Sequence, residues 1–166
     1  MLYTSAYNTA IGLSLMMSSE HITKWSKKDK FQLQTMIDQY RTSFTNIPVI
    51  DKDLLIINYL GHPYQGAVYY NSLRCQGATV WQSALFSAAS STLWEYVWEA
   101  GIEQPSIQDM IITPIAGTLL GELSHVLTVK MSRTGFRWYE KAVVCVINPA
   151  FVVNNGFRVT RHRNLD

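Results

Sequence analysis

Charge is what this chain has least of. Only 16% of its 166 residues are Asp, Glu, Lys or Arg, against about a quarter in an ordinary soluble domain. Ser, Thr, Asn, Gln and Tyr fill the gap, while the apolar fraction of 48% is unremarkable in size. A chain with so little charge is expected to hide much of its surface against a membrane, a partner or further protein. The net charge of +2 is too small for a nucleic-acid footprint. The basic residues are scattered, apart from Lys24, Lys27, Lys28 and Lys30 and from Arg158, Arg161 and Arg163. Those groups read as a solvated loop and a basic tail.

Other absences narrow the field. No P-loop, G-x-G-x-x-G, G-x-S-x-G or H-E-x-x-H is present, so the common phosphate, dinucleotide, serine-hydrolase and zinc-protease signatures are excluded. No run of eighteen apolar residues marks an ordinary transmembrane helix. Met1 to Met17 lacks the basic start and small-residue cleavage site of a signal peptide. Cys75 and Cys145 make no C-x-x-C pair and have no metal-ligand spacing. They are either two buried thiols or one disulfide.

What is present reads as all-α. Helical spacing runs over Leu2 to Ser18 (Tyr3, Tyr7, Ala10, Ile11, Ser14, Leu15) and over Phe31 to Phe44. Lys24 to Lys30 forms a charged turn between them, and Asn46-Ile47-Pro48 ends the second. Asp51 caps a short helix to Tyr59, and Pro63 opens one that runs to Arg74, with Gly77 beyond it. Two longer helices follow, Thr79 to Ala100 and Ser106 to Met131. Gly101 is the expected stop of the first. Ser106 and Asp109 are a start signal for the second, and Pro114 predicts a kink inside it. Phe136 to Ile147 is a last apolar helix before Asn148-Pro149. Val143 to Ile147 and Phe151 to Val153 remain open as short strands. The whole chain, 1–166, reads as one compact multi-helix domain built around an antiparallel hairpin (79–100 / 106–131).

That hairpin carries two polar stripes. Ser83, Ser87, Ser91, Glu95 and Glu99 recur at four-residue intervals on one helix. Asp109, Thr113, Gly117, Gly121 and His125 do so on the other. Residues four apart lie above one another, and rows of small side chains let helices approach closely. The short link puts Glu95 and Glu99 near Asp109 and Thr113. Acids so close need donors, cations or a raised pKa. Arg74, His62 and the free amides at Ser106 are the available partners.

His62 lies between Gly61 and Pro63 in a stretch, Leu54 to Leu73, with no Asp, Glu, Lys or Arg. It is either a structural hydrogen-bonder at a helix start or a general base oriented by Glu95 or Glu99. Asn58, Arg74, Asp109, Thr113, Glu122 and His125 complete the candidate polar network. Glu122-x-x-His125 is a single Glu-x-x-His step, whereas a dimetal bundle needs two such steps. A mononuclear site from His62, His125 and glutamates is a weaker alternative. No spacing singles one out, so no metal is assigned and no cofactor is expected. Tyr64, Tyr69, Tyr70, Trp81, Trp94, Tyr96 and Trp98 concentrate aromatic surface, for the core or for an interfacial belt.

The ordered series Asn58-x-x-Gly61-His62-Pro63-x-x-Gly66-x-x-Tyr69-Tyr70-x-x-x-Arg74-x-x-Gly77, Ser91-x-x-Trp94-Glu95-Tyr96-x-x-Glu99, Pro105-Ser106-x-x-Asp109, Thr113-Pro114-x-x-Gly117, Gly121-Glu122 and Ile147-Asn148-Pro149 resembles an uncharacterised family of Gram-negative bacterial envelope domains. The resemblance covers 51–154, leaving N-terminal helices over 1–50 and a basic tail over 155–166. It implies a place in the cell envelope, on the outer-membrane or periplasmic side, with a C-terminal barrel in longer relatives, and it implies no reaction. The leading expectation is a membrane-associated helical domain with a structural or interaction role, its partners membrane lipid or a larger envelope assembly. The alternative is an envelope hydrolase or transferase acting on lipid or glycan, with His62 as base and Glu95 or Glu99 behind it. A metal-binding module is the third.

Overall fold

A computed structural model of the chain describes residues 2–23, 25–26, 31–50 and 54–158. The Lys27–Lys30 part of the charged turn, Lys24, the Asp51 cap and the tail beyond Arg158 lie outside the described residues. The elements are α1 (Leu2–Met17), α2 (Glu20–Thr23), α3 (Leu33–Thr45), α4 (His62–Arg74), α5 (Val80–Leu93), α6 (Ile107–Ser132), α7 (Trp138–Ile147) and α8 (Pro149–Asn155). Two wider, π-helical segments join them, π1 (Ile57–Gly61) and π2 (Trp94–Glu99). The fold is all-α, and the described residues contain no strand. Val143 to Ile147 and Phe151 to Val153, open as strands in the sequence, are helical. The Asn148 side chain accepts from the Phe151 N–H and Pro149 takes the first position, so α8 is properly started there.

Local chemistry accounts for the other boundaries. Thr79 and Gln82 form a reciprocal capping box at α5, and the Ser106 hydroxyl accepts from the Asp109 N–H at α6. Gly77 ends α4 with a left-handed φ of 92°. Gly101 has a different reason to be glycine. A Cβ there would lie 2.5 Å from Cε2 of Tyr40, whose hydroxyl donates to the Val97 carbonyl at 2.6 Å.

Pro63 does not begin a separate helix. π1 runs directly into α4, and the His62 N–H reaches the Ile57 carbonyl five residues back. Proline cannot supply the ordinary fourth-residue bond, and the wider turn absorbs that mismatch. α5 passes in the same way into π2.

α4 is the centre of the molecule. Nearly all of its residues are buried, between α6 on one side and α5 on the other, with α5 and α6 antiparallel. Glu95 Oε2 accepts from the Ser106 N–H, and one turn away the Ser91 hydroxyl donates to the Asp109 carbonyl. The small residues of α6 face α4. A Cβ on Gly66 would run into the Thr113 carbonyl, and one on Gly121 would lie 2.6 Å from Tyr70 Cδ1.

Along α5 and α6 the inward faces are largely polar and the outward faces apolar. Asn71, Ser83, Ser87, Thr113, Ser124 and Thr128 are buried, while Ile111, Ile115, Leu119, Leu123 and Val126 are exposed. Many interior hydroxyls are satisfied within their own helix, as Ser72 by Val68 and Thr128 by Ser124. At 26 residues α6 is about 39 Å long by its rise. It is long and apolar enough to cross a membrane, and only 28% of its most apolar stretch is buried. Reading for unbroken apolar runs missed it, because Asp109, Glu122, His125 and the small polar residues of its inward face interrupt the sequence.

Candidate functional site

The expected acids and imidazoles gather at two places. At the first, His62 stands at the junction of π1 and α4, Glu95 comes from π2, and Asp109 comes from the first turn of α6. All three are buried, at 8%, 2% and 1% exposure. One ligand-capable atom from each lies within 4.8 Å of those of the others, and His62 Nε2 is 3.9 Å from Asp109 Oδ1. The Ser106 N–H holds Glu95 at 2.8 Å, and the Ser106 hydroxyl holds the Asp109 N–H at 3.1 Å. Thus the free amides at this helix start serve both the cap and the acid.

Glu99 lies beside this group, with Oε2 accepting from Trp94 Nε1 at 2.6 Å. Glu103, which the sequence reading passed over, accepts from Trp25 Nε1 at 2.7 Å. Both help to wall a small cavity of about 10 Å³ shared with His62, Glu95 and Asp109. His62 and Glu99 also line a second, larger cavity of about 230 Å³, whose other walls include Tyr7, Ile11, Leu15 and Trp94. Burial pushes the Tyr7 phenol well above its usual range, so it stays protonated there.

α1 is fastened over this region through Tyr69, whose hydroxyl donates to Asn8 and accepts from Gln65. Asn8 was not foreseen. Its signal was present, since Thr4 and Asn8 stand four apart on α1 and both are buried. Asn58 is buried on π1, and Thr113 is buried one turn beyond Asp109. Neither the Asn58 Oδ1 nor the Thr113 Oγ1 has a hydrogen-bond partner among the described residues.

The second place lies toward the other end of α4. Arg74 pairs with Glu122 through Nε to Oε2 at 2.9 Å and Nη2 to Oε1 at 3.2 Å, and Tyr70 donates to the same carboxylate. Arg74 therefore serves Glu122 on α6. His125, one turn on, is buried with Nδ1 3.7 Å from Cys75 Sγ. Its Nε2 has no partner among the described residues. Asn148 joins this group by donating to Thr128 Oγ1 at 3.2 Å. His125 and Asp109 are sixteen residues apart on one helix, about 24 Å along its axis. They do not share a site. Cys75 is buried and Cys145 exposed, and they are not bonded to each other.

The fold and these side chains define a class: an all-helical domain with a polar, glycine-contacted interior and a buried histidine–carboxylate group. A family model described as Domain of unknown function (DUF3943) matches residues 47–150. The match spans more than half of the chain, and the chain belongs to that family. No curated protein and no solved structure matches it.

Proposed function

We propose that this domain is a membrane-associated helical unit of the bacterial cell envelope, with a structural or interaction role, whose outer faces contact lipid. The observation that carries this reading is the inverted polarity of α6. Its inward row Asp109, Thr113, Gly117, Gly121 and Ser124 is buried, and its outward row Ile111, Ile115, Leu119 and Leu123 is bare, with Leu119 at 71% exposure. In water such a face costs free energy in proportion to its area. In hydrocarbon it costs little, and the polar groups must then bond inside the protein, as they largely do here. Exposed Leu55, Ile56, Leu60, Trp81 and Leu85 extend the apolar surface to the neighbouring elements. The envelope placement rests on the motif resemblance.

The test is fractionation of cells expressing the full chain. The protein is expected in the membrane fraction, resistant to carbonate and released by detergent. Leu119→Glu with Leu123→Glu should shift it to the soluble or aggregated fraction. A chain that is monodisperse without detergent, in both forms, would overturn the reading.

One observation favours a second reading, a hydrolase or transferase acting on a lipid or glycan. His62 borders both the carboxylates and a largely apolar cavity that suits an acyl chain. Asp109 and Glu95 are the carboxylates nearest to orient it, with Glu99 on the cavity wall. Incubating the chain with mixed envelope lipids and following products by mass spectrometry, with His62→Gln as control, tests this. No product from the unaltered chain would remove it.

A further inference from the structure

We infer that His62, Glu95 and Asp109 bind one divalent transition-metal ion of the Mn²⁺, Fe²⁺ or Zn²⁺ class. The three ligands come from three elements that meet at one interior point, with their ligand-capable atoms mutually within 4.8 Å. The His62 Nε2 to Asp109 Oδ1 separation of 3.9 Å is too long for a hydrogen bond. It is close to the roughly 3.3–3.4 Å edge that two ligands at about 2.0–2.1 Å make around a tetrahedral ion. An inward movement of about 0.5 Å by either side chain would bring this pair to that edge.

Donor chemistry selects the ion. One imidazole nitrogen and two carboxylate oxygens offer no thiolate for soft ions, and the nitrogen disfavours Ca²⁺ and Mg²⁺. The cavity of about 10 Å³ among these residues has room for one ion, about the space of a single water. Supporting groups are already in place. The Ser106 amide fixes the Glu95 carboxylate, the outer-sphere support that metal-binding carboxylates ordinarily have, and the Ser106 hydroxyl fixes the backbone of Asp109.

Two further features bear on a ligand. Both His62 and Glu95 are carried at π-helical turns, which are costly in plain helices and recur at functional sites. Three protein ligands also leave a coordination position open, and His62 is shared with the 230 Å³ cavity. A substrate oxygen or a water reaching that position from the cavity would meet a Lewis acid. The ion takes His62 as a ligand and so removes it as a general base. The site lies in the interior, so its test is independent of lipid contact.

The full chain, purified in mild detergent and stripped by chelator, is titrated calorimetrically with Mn²⁺ and Zn²⁺. Co²⁺ supplies a visible absorption band that reports nitrogen and oxygen ligands. One ion per chain is expected, with a higher thermal midpoint when loaded. Glu95→Gln, Asp109→Asn and His62→Gln should each weaken binding by about 100-fold or more, beyond the 10–100-fold of a lost supporting group. Glu122→Gln and His125→Gln should leave it unchanged. Far-UV circular dichroism identifies any variant that fails to fold, and the remaining two then carry the test. The inference is overturned if the unaltered chain retains no ion. It is equally overturned if binding survives substitution at all three ligands.

Discussion

Gly66 and Gly117 touch backbone to backbone. A Cβ on Gly117 would lie 2.5 Å from the Cα and carbonyl carbon of Gly66 and 2.9 Å from the Ala67 nitrogen. Neither neighbour is a side chain that can turn aside, so the distance between α4 and α6 is set at this point. The same contact holds the first turn of α6, with Asp109, against the start of α4, with His62.

Gly117→Ala is therefore expected to destabilise the domain even though alanine is the better helix former by about 1 kcal/mol. Forced separation of two packed helices costs about 1–3 kcal/mol, and here the obstacle is main chain, so the upper end is expected. Gly12→Ala is the control, because its Cβ would meet only the Trp98 ring, at 3.8 Å. It should be neutral or mildly stabilising. Thermal unfolding followed by circular dichroism in detergent separates the two, and equal midpoints would contradict the contact.

The Arg74–Glu122 pair should resist replacement of arginine by lysine. Its two parallel bonds, at 2.9 and 3.2 Å, need the planar fork that lysine lacks. Glu122 is partly exposed, which moderates the cost. A double-mutant cycle of Arg74→Lys with Glu122→Gln is expected to give a coupling of about 1–2 kcal/mol. Additive effects would mean that the pair contributes little.

Tryptophan exposure offers a direct test of the outer surface. Trp81 and Trp138 are 71% and 82% exposed, whereas Trp94 is 3% exposed. In single-tryptophan variants reconstituted into vesicles, brominated acyl chains should quench Trp81 strongly and Trp94 weakly. Quenching of Trp81 by aqueous iodide but not by brominated lipid would place its face in water.

Much of the helical framework was legible because its signals are local. The Ser106 cap, Gly77 and the Asn148-Pro149 break each act within four residues. Glu95 beside Asp109 was equally legible from the short hairpin link and the four-residue stripes. The partner of the glycine row was not. Spacing reveals that Gly117 and Gly121 allow a close approach, and the adjacent helix in sequence is the obvious candidate. The structure sets α4 there, because Gly66 and Tyr70 supply the complementary surface.

Arg74 shows the same limit. Sequence offered it as a cation for the acids near the loop, yet its place at the last turn of α4 puts it beside Glu122. The His62-Pro63 junction looked like a helix start, since proline is common there. A widened turn that carries the chain straight through has no comparable sequence signature.

Those widened turns make the interior depend on residue count as well as residue identity. Each accommodates roughly one more residue than ordinary winding would. Removing a single residue from 57–61 or 94–99 would restore plain coiling and leave the helices on either side facing as they do now. The side chains inside the turn would lose the placement that the wider winding gives them, and Glu95, which lies within 94–99, would be redirected with its carboxylate chemically intact. Length at that turn is thus as constrained as the carboxylate it carries.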